Sequence, residues 1–173
     1  MRIIAGEHRG VRIFAPKGDE TRPTSDRVRE AAFNLIGPVD GSSVLDLFAG
    51  SGAMGLEALS RGAASAVFVE SDRDACRAID RNIAKLCLTG ATVLQRDVFQ
   101  VLATQTKTYD LVLVDPPYDF DDDARLAPYL VRALAPDGLV VYETTFRREP
   151  TLEGLKTRTA RTYGSARLTL FAR

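Results

Sequence analysis

The sequence predicts a doubly wound α/β fold: a mostly parallel seven-stranded sheet, with an antiparallel hairpin at its C-terminal end and a β-hairpin extension at its N-terminus. Three observations carry that prediction. From Ser43 onward, short apolar runs alternate with segments of helical period, the order expected of strands laid side by side and covered by helices. The runs are apolar at almost every position, as strands buried on both faces are. After Tyr142 the alternation stops, and two strand-like segments face each other across Gly164-Ser165.

The elements follow in order. Residues 1–18 alternate and carry glycines, and read as a short hairpin turning near Glu7–Gly10. A basic, polar stretch, Thr21 to Arg29, leads into a helix that Thr24 or Ser25 can cap, with Val28, Ala31, Ala32 and Leu35 on one face and Gly37-Pro38 at its end. Val44–Phe48 is the first strand of the sheet, and a glycine-rich turn joins it to a helix over about Met54–Arg61. Strand Ala66–Val69, helix Asp72–Cys87, strand Thr92–Leu94 and helix Asp97–Thr104 come next. Strand Leu111–Val114, a helix over about Asp122–Leu134 and strand Leu139–Tyr142 complete the parallel part. Lys156–Tyr163 and Ala166–Phe171 form the closing hairpin. This places an extension at 1–37 and a main domain at 38–173.

Length and composition set the bounds. A chain of 173 residues, 45% hydrophobic, suits one globular domain with a full core. No apolar run approaches the ~20 residues of a membrane helix, and the N-terminus has no signal-peptide character, so a cytoplasmic protein and a monomer are expected. Cys76 and Cys87 lie in a helical stretch and are expected as two buried free thiols. With a single histidine in the chain, they argue against a protein-only zinc site. Net charge is zero, yet basic residues gather near both termini while aspartates crowd Asp110–Asp123, so a neutral total can hide a positive face.

The glycine turn, Asp46-Leu47-Phe48-Ala49-Gly50-Ser51-Gly52, lets the chain bend sharply and lets a ligand approach the main chain at the start of a helix. Dinucleotide sites share such turns. Asp46, inside the strand, argues for a cationic or amino-bearing ligand instead of a pyrophosphate. Glu70 ends the second strand, where a carboxylate can bind both hydroxyls of a ribose. Asp97 follows the third strand; it can cap the next helix, and it can also accept from an amino group while Val98 packs on a ring.

The fourth strand ends in Asp115-Pro116-Pro117-Tyr118. The prolines have no N–H to donate and hold the chain extended. The carboxylate of Asp115 and the carbonyl of Pro116 then form two acceptors beside the aromatic face of Tyr118. That set suits a planar base with an exocyclic –NH₂ group: its protons are accepted and its ring is stacked. The amine's lone pair is delocalised into the ring, and acceptors on its protons favour a pyramidal nitrogen that can attack an electrophile. The motif leaves adenine and guanine open.

With these residues in hand, the chain resembles the amino-methyltransferases, and more narrowly the bacterial RsmD-type 16S rRNA guanine-N2 methyltransferases. The resemblance runs along almost the whole chain. It includes Ile3-Ile4-Ala5-Gly6 with Arg9-Gly10, the Arg22-Pro23-Thr24-x-Asp26-Arg27-Val28-Arg29-Glu30 segment with Phe33-Asn34, both motifs above, and Tyr163-Gly164. It implies a Rossmann-like class I fold with S-adenosyl-L-methionine as cofactor. Asp46, Phe48, Ala49, Gly50, Ser51 and Gly52 would hold the methionine part, Glu70 and Ser71 the ribose, and Asp97 and Val98 the adenine, with Asp115 beside them. Asp115, Pro116, Pro117 and Tyr118 would carry the reaction. The substrate it implies is guanine N2 in 16S rRNA of the small subunit or its assembly intermediate, of the guanine 966 type.

The RNA side is expected in the extension, through Arg9, Arg12, Arg22, Thr24, Arg27 and Arg29, since a guanidinium fork can bond two phosphate oxygens. Two alternatives stand beside this reading: an adenine-N6 methyltransferase of DNA or RNA, and a non-catalytic RNA-binding assembly factor that keeps the pocket. The run Asp119, Asp121, Asp122, Asp123 opposes an RNA approach on that side, unless it complements the dipole of the helix it precedes.

Overall fold

The computed structural model describes residues 1–16 and 26–173. Seven strands form one sheet: β1 (Ser43–Leu47), β2 (Ser65–Glu70), β3 (Ala91–Gln95), β4 (Tyr109–Val114), β5 (Leu134–Thr145), β6 (Lys156–Tyr163) and β7 (Ala166–Ala172). Their order is β3-β2-β1-β4-β5-β7-β6. The first five are parallel, and β7 runs antiparallel between β5 and β6. The order reverses between β1 and β4, and ligand crevices of open α/β sheets form at such a point.

Helices cover both faces. Side chains in the parallel strands alternate between two cores, as a period of two requires. Val44, Leu111, Leu113 and Val141 face α1 (Asp26–Ile36), α2 (Ala53–Ser60) and α3 (Arg73–Lys85). Leu45, Val112, Val114 and Val140 face α4 (Val98–Thr104) and α5 (Asp123–Ala133). Asp72 caps α3 by accepting from the Ala75 N–H at 2.8 Å, which starts that helix directly after β2.

The N-terminal segment departs from two regular strands. It folds back with a single antiparallel bridge, Arg2 to Arg12, supported by Ile3 N–H to the Val11 carbonyl at 2.9 Å and Gly10 N–H to the Ile3 carbonyl at 2.8 Å. Other bonds of the segment go to the main domain, among them Glu7 N–H to the Ser60 carbonyl at 2.8 Å. Ile3 and Ile13 enter the core of α1 and α2, and Asn82 of α3 clasps Phe14 by both its backbone N–H and its carbonyl. The glycine and arginine content of this segment favours docking by backbone groups over a free-standing hairpin. The predicted caps Thr24 and Ser25 lie outside the described residues. One expectation fails: Cys76 is buried, but Cys87 is exposed, because α3 ends at Lys85 and Cys87 sits beyond it at φ 50°.

Candidate active site

A cleft of about 260 Å³ opens at the carboxyl ends of β1, β2 and β4. The glycine turn forms its floor. Phe48 stands at φ 58°, Gly50 at 52° and Gly52 at 73°, so three residues in the left-handed region reverse the chain within one turn. Gly52 begins α2, and its N–H bonds the Ala49 carbonyl at 2.7 Å. A Cβ on Gly55, a turn further on, would lie 2.3 Å from Phe68 and 2.9 Å from Asp46 Oδ2. Only glycine lets α2 approach the sheet this closely.

Two carboxylates frame the cleft. Asp46 is buried, and its Oδ2 accepts from the Gly55 N–H at 2.9 Å. Burial raises its pKa to about 8; the Gly55 bond opposes that rise, and the negative charges of Asp115 and Glu70 add to it. Glu70 accepts from the Gly50 N–H at 2.8 Å through one oxygen and from the Asp72 N–H at 2.8 Å through the other. It thereby ties the glycine turn to the start of α3. A carboxylate has about four lone-pair sites, so both oxygens keep acceptor capacity towards the cleft.

Of the predicted residues, Asp46, Phe48, Ala49, Gly50, Ser51, Glu70, Ser71, Asp115 and Pro117 line this cleft together. Gly52, Asp97 and Val98 are not among its lining. Asp97 caps α4, accepting from the Phe99 and Gln100 N–H groups at 2.9 and 3.2 Å, and Val98 is buried in the second core. Met1, Ala53 and Met54 line the cleft without having been anticipated. Met1 arrives because the N-terminal segment folds over α2, which brings its sulfur 3.5 Å from Ser51 Oγ; no local pattern announces that.

A second, smaller recess lies on the other side of the same motif, lined by Asp115, Pro116, Pro117 and Tyr118 together with β5 and the Gly164 turn. Asp115 and Pro117 belong to both cavities. Phe120 N–H bonds the carbonyl of Pro117 at 3.0 Å, so that turn is closed one residue past Pro116. Tyr118 is 62% exposed at the rim.

The acidic run is partly neutralised. Asp123 begins α5, accepts from the Tyr142 hydroxyl at 2.5 Å and pairs with Arg148 at 2.8 Å. Burial raises the Tyr142 pKa, reinforced by the bond to Asp123 and its charge. Among the described residues no group of acidic, histidine and cysteine side chains could hold a metal ion.

The arginines divide. Arg9, Arg12 and Arg27 are exposed, and Arg9 and Arg27 line one groove. Arg22 and Thr24 lie outside the described residues. Arg29 must be withdrawn from the RNA-facing set, because it is fully buried. Its guanidinium donates to the Arg2 carbonyl and to Asp26 at 3.1 Å, and stands 3.5 Å from Glu57. Glu57 went unnoticed in the sequence. It too is fully buried, accepts from the Ile4 and Ala5 N–H groups at 2.8 and 2.9 Å, and pairs with Arg61 at 2.8 Å. A glutamate four residues before an arginine inside an otherwise apolar helix was the available signal.

The family model described as Conserved hypothetical protein 95 matches residues 1–172. The chain belongs to that family. It is 44% identical over 119 residues to the ribosomal RNA small subunit methyltransferase D of Escherichia coli K12, covering 68% of this chain and 60% of that enzyme. The chain therefore spans less than two thirds of that relative's length. It is 39% identical over 150 residues to YlbH of Bacillus subtilis, covering 83% of this chain and 82% of YlbH. The solved structure of yhhF from Escherichia coli superposes with a TM-score of 0.88 at 34% identity, covering 100% of this chain and 97% of that one. Members of the family thus include RsmD-type enzymes, as the Arg-Pro-Thr and Asp-Pro-Pro-Tyr segments implied. The fold is the Rossmann-like class I fold of the S-adenosylmethionine-dependent methyltransferases. The cleft suits S-adenosylmethionine: a left-handed turn at Phe48, Gly50 and Gly52 leads into α2, and the carboxylates of Asp46, Glu70 and Asp115 line it.

Proposed function

We propose that the protein methylates the exocyclic N2 of a guanine in 16S rRNA, in the small ribosomal subunit or its assembly intermediate. The observation that carries this reading is the sharing of Asp115 and Pro117 between the cofactor cleft and a second recess. One motif thus borders a donor on one side and an acceptor base on the other. The E. coli relative is by name a small-subunit rRNA methyltransferase, which supports that RNA as substrate.

Bound S-adenosylmethionine supplies an electrophilic methyl group on a sulfonium. The chain's own residues do the rest. Asp46 and the turn Phe48–Gly52 receive the methionine part, and Glu70 with Ser71 the ribose. Asp97 and Val98 stand at the adenine end, Asp97 keeping its role as helix cap. The Asp115 carboxylate and the Pro116 carbonyl accept the two amine protons and turn the nitrogen lone pair towards the cleft; alignment of this kind accounts for much of the rate. Tyr118 stacks on the base. After transfer, the Asp115 carboxylate takes up the proton that the nitrogen loses. Residues 1–37 serve as the RNA-binding extension, through Arg9, Arg12 and Arg27, with 38–173 as the catalytic domain.

Mass mapping of rRNA from cells with and without the gene tests the assignment. One guanine should lose a methyl group when the gene is absent. Labelled cofactor offered with small-subunit particles, free rRNA and duplex DNA should mark the particles, and exclusive labelling of DNA would refute the reading. Asp115→Ala should keep cofactor affinity in calorimetry and abolish transfer.

A further inference from the structure

We infer that Glu143 reads the N1–H of the target base and so selects guanine over the other amine-bearing bases. This rests on the guanine reading above and deepens it.

The register places Glu143 beside the catalytic motif. In the parallel pair of β4 and β5, Val114 is the partner of Tyr142. The residues that follow are Asp115, just past the end of β4, and Glu143, still within β5, which puts both at the same end of the pair. Both line the second recess, with Tyr118. Glu143 is half-buried, and β7 fixes its backbone through the pair with Leu168. With about four lone-pair sites, its carboxylate retains acceptor capacity for a ligand alongside any protein contact.

The chemistry of the bases does the discriminating. Guanine carries a donor, N1–H, next to its amine. Adenine carries an unprotonated N1 next to N6, and cytosine an unprotonated N3 next to N4. Once Asp115 and the Pro116 carbonyl hold the amine, the neighbouring ring atom meets the neighbouring carboxylate. Guanine then donates to Glu143, whereas adenine or cytosine would set a lone pair against an anion. The hydroxyls of Thr145 and Ser165 line the same recess and can donate to the guanine carbonyl O6. The recess holds about 20 Å³, room for little more than one water molecule. It therefore takes the edge of a base while Tyr118 covers the face.

The test uses small-subunit particles reconstituted with either guanine or 2-aminopurine at the methylated position. 2-Aminopurine keeps the N2 amine but has a lone pair at N1 and no O6. Wild-type protein should prefer guanine by at least about tenfold in kcat/KM, in the range of one good base contact. Glu143→Gln can turn its amide to donate to an unprotonated N1, so its preference should shrink by about tenfold, with cofactor affinity unchanged. Comparing the two enzymes cancels the effect of the missing O6. An unchanged preference in Glu143→Gln would overturn the inference while leaving the guanine reading intact. So would total loss on both particles, which would make Glu143 a support for Asp115 instead of a reader. Failure of the wild-type protein to label either particle would overturn both readings together.

Discussion

Asp46 on β1 accepts a hydrogen bond from the Gly55 N–H of α2 across 2.9 Å, and the absence of a side chain at Gly55 is what makes that contact fit. A Cβ there would overlap Phe68 and crowd the carboxylate. Gly55→Ala should therefore cost about 1–3 kcal/mol through overpacking and weaken cofactor binding by displacing Asp46. Denaturant unfolding and calorimetry read the two effects. A variant of wild-type stability and affinity would show that α2 can shift to make room.

The same aspartate sets a pH dependence. Burial, with repulsion from Asp115 and Glu70, holds its pKa near 8 against an ordinary 3.8. Between those values the folded protein keeps a proton that the unfolded chain has lost. Its contribution is therefore present at low pH and is lost as pH rises towards about 8. The stability of wild type relative to Asp46→Asn should fall between about pH 5 and 8. A cation in the cleft favours the ionised form, so cofactor binding below pH 8 should release a proton, seen as a buffer-dependent binding enthalpy that Asp46→Asn removes. A relative stability flat with pH and no proton release would count against this account.

Glu57 holds the N-terminal segment onto α2. Its carboxylate takes the Ile4 and Ala5 N–H groups and balances Arg29 and Arg61. Glu57→Ala leaves the buried Arg29 with only Asp26 as anionic partner, a loss of about 3–5 kcal/mol for a broken buried pair. Because Met1 of that segment reaches the cofactor cleft, cofactor affinity should drop as well. Thermal melting and limited proteolysis of residues 1–16 test this, and wild-type behaviour in both would refute it.

Periodicity and turn chemistry made most of the fold legible. Val44–Phe48, Leu111–Val114 and the two segments flanking Gly164 are read from local sequence because their burial on both faces, or their turn, is encoded locally. Asp46, Glu70 and Asp115 were legible for a related reason: strand ends converge at the reversal of strand order, so position along each strand fixes place in the cleft. Met1, Glu57 and Glu143 were not. Each acquires its place from a partner distant in sequence: the docked N-terminal segment for the first two, and the pairing of Tyr142 with Val114 for the third. Arg29 misled for the same reason. Within a basic stretch it looks like its exposed neighbour Arg27, and its tertiary contacts with Glu57 and the Arg2 carbonyl set it apart.

That contrast yields a test of the RNA-facing surface. Arg9 and Arg27 are exposed on one groove, whereas Arg29 is buried beneath it. If Arg9 and Arg27 each neutralise one phosphate, alanine at either position should weaken particle binding and reduce the slope of log affinity against log salt by roughly 0.7–0.9. Protein stability should stay within about 0.5 kcal/mol of wild type, as for ordinary surface changes. Arg29→Ala should do the reverse. It leaves the buried Glu57 with only Arg61 and the two backbone N–H groups, so it should destabilise the fold, while in the folded fraction the salt slope stays at the wild-type value. Binding titrations at several salt concentrations, paired with unfolding curves, separate the two classes. An equal reduction of slope by all three variants would place Arg29 at the RNA surface and contradict its burial.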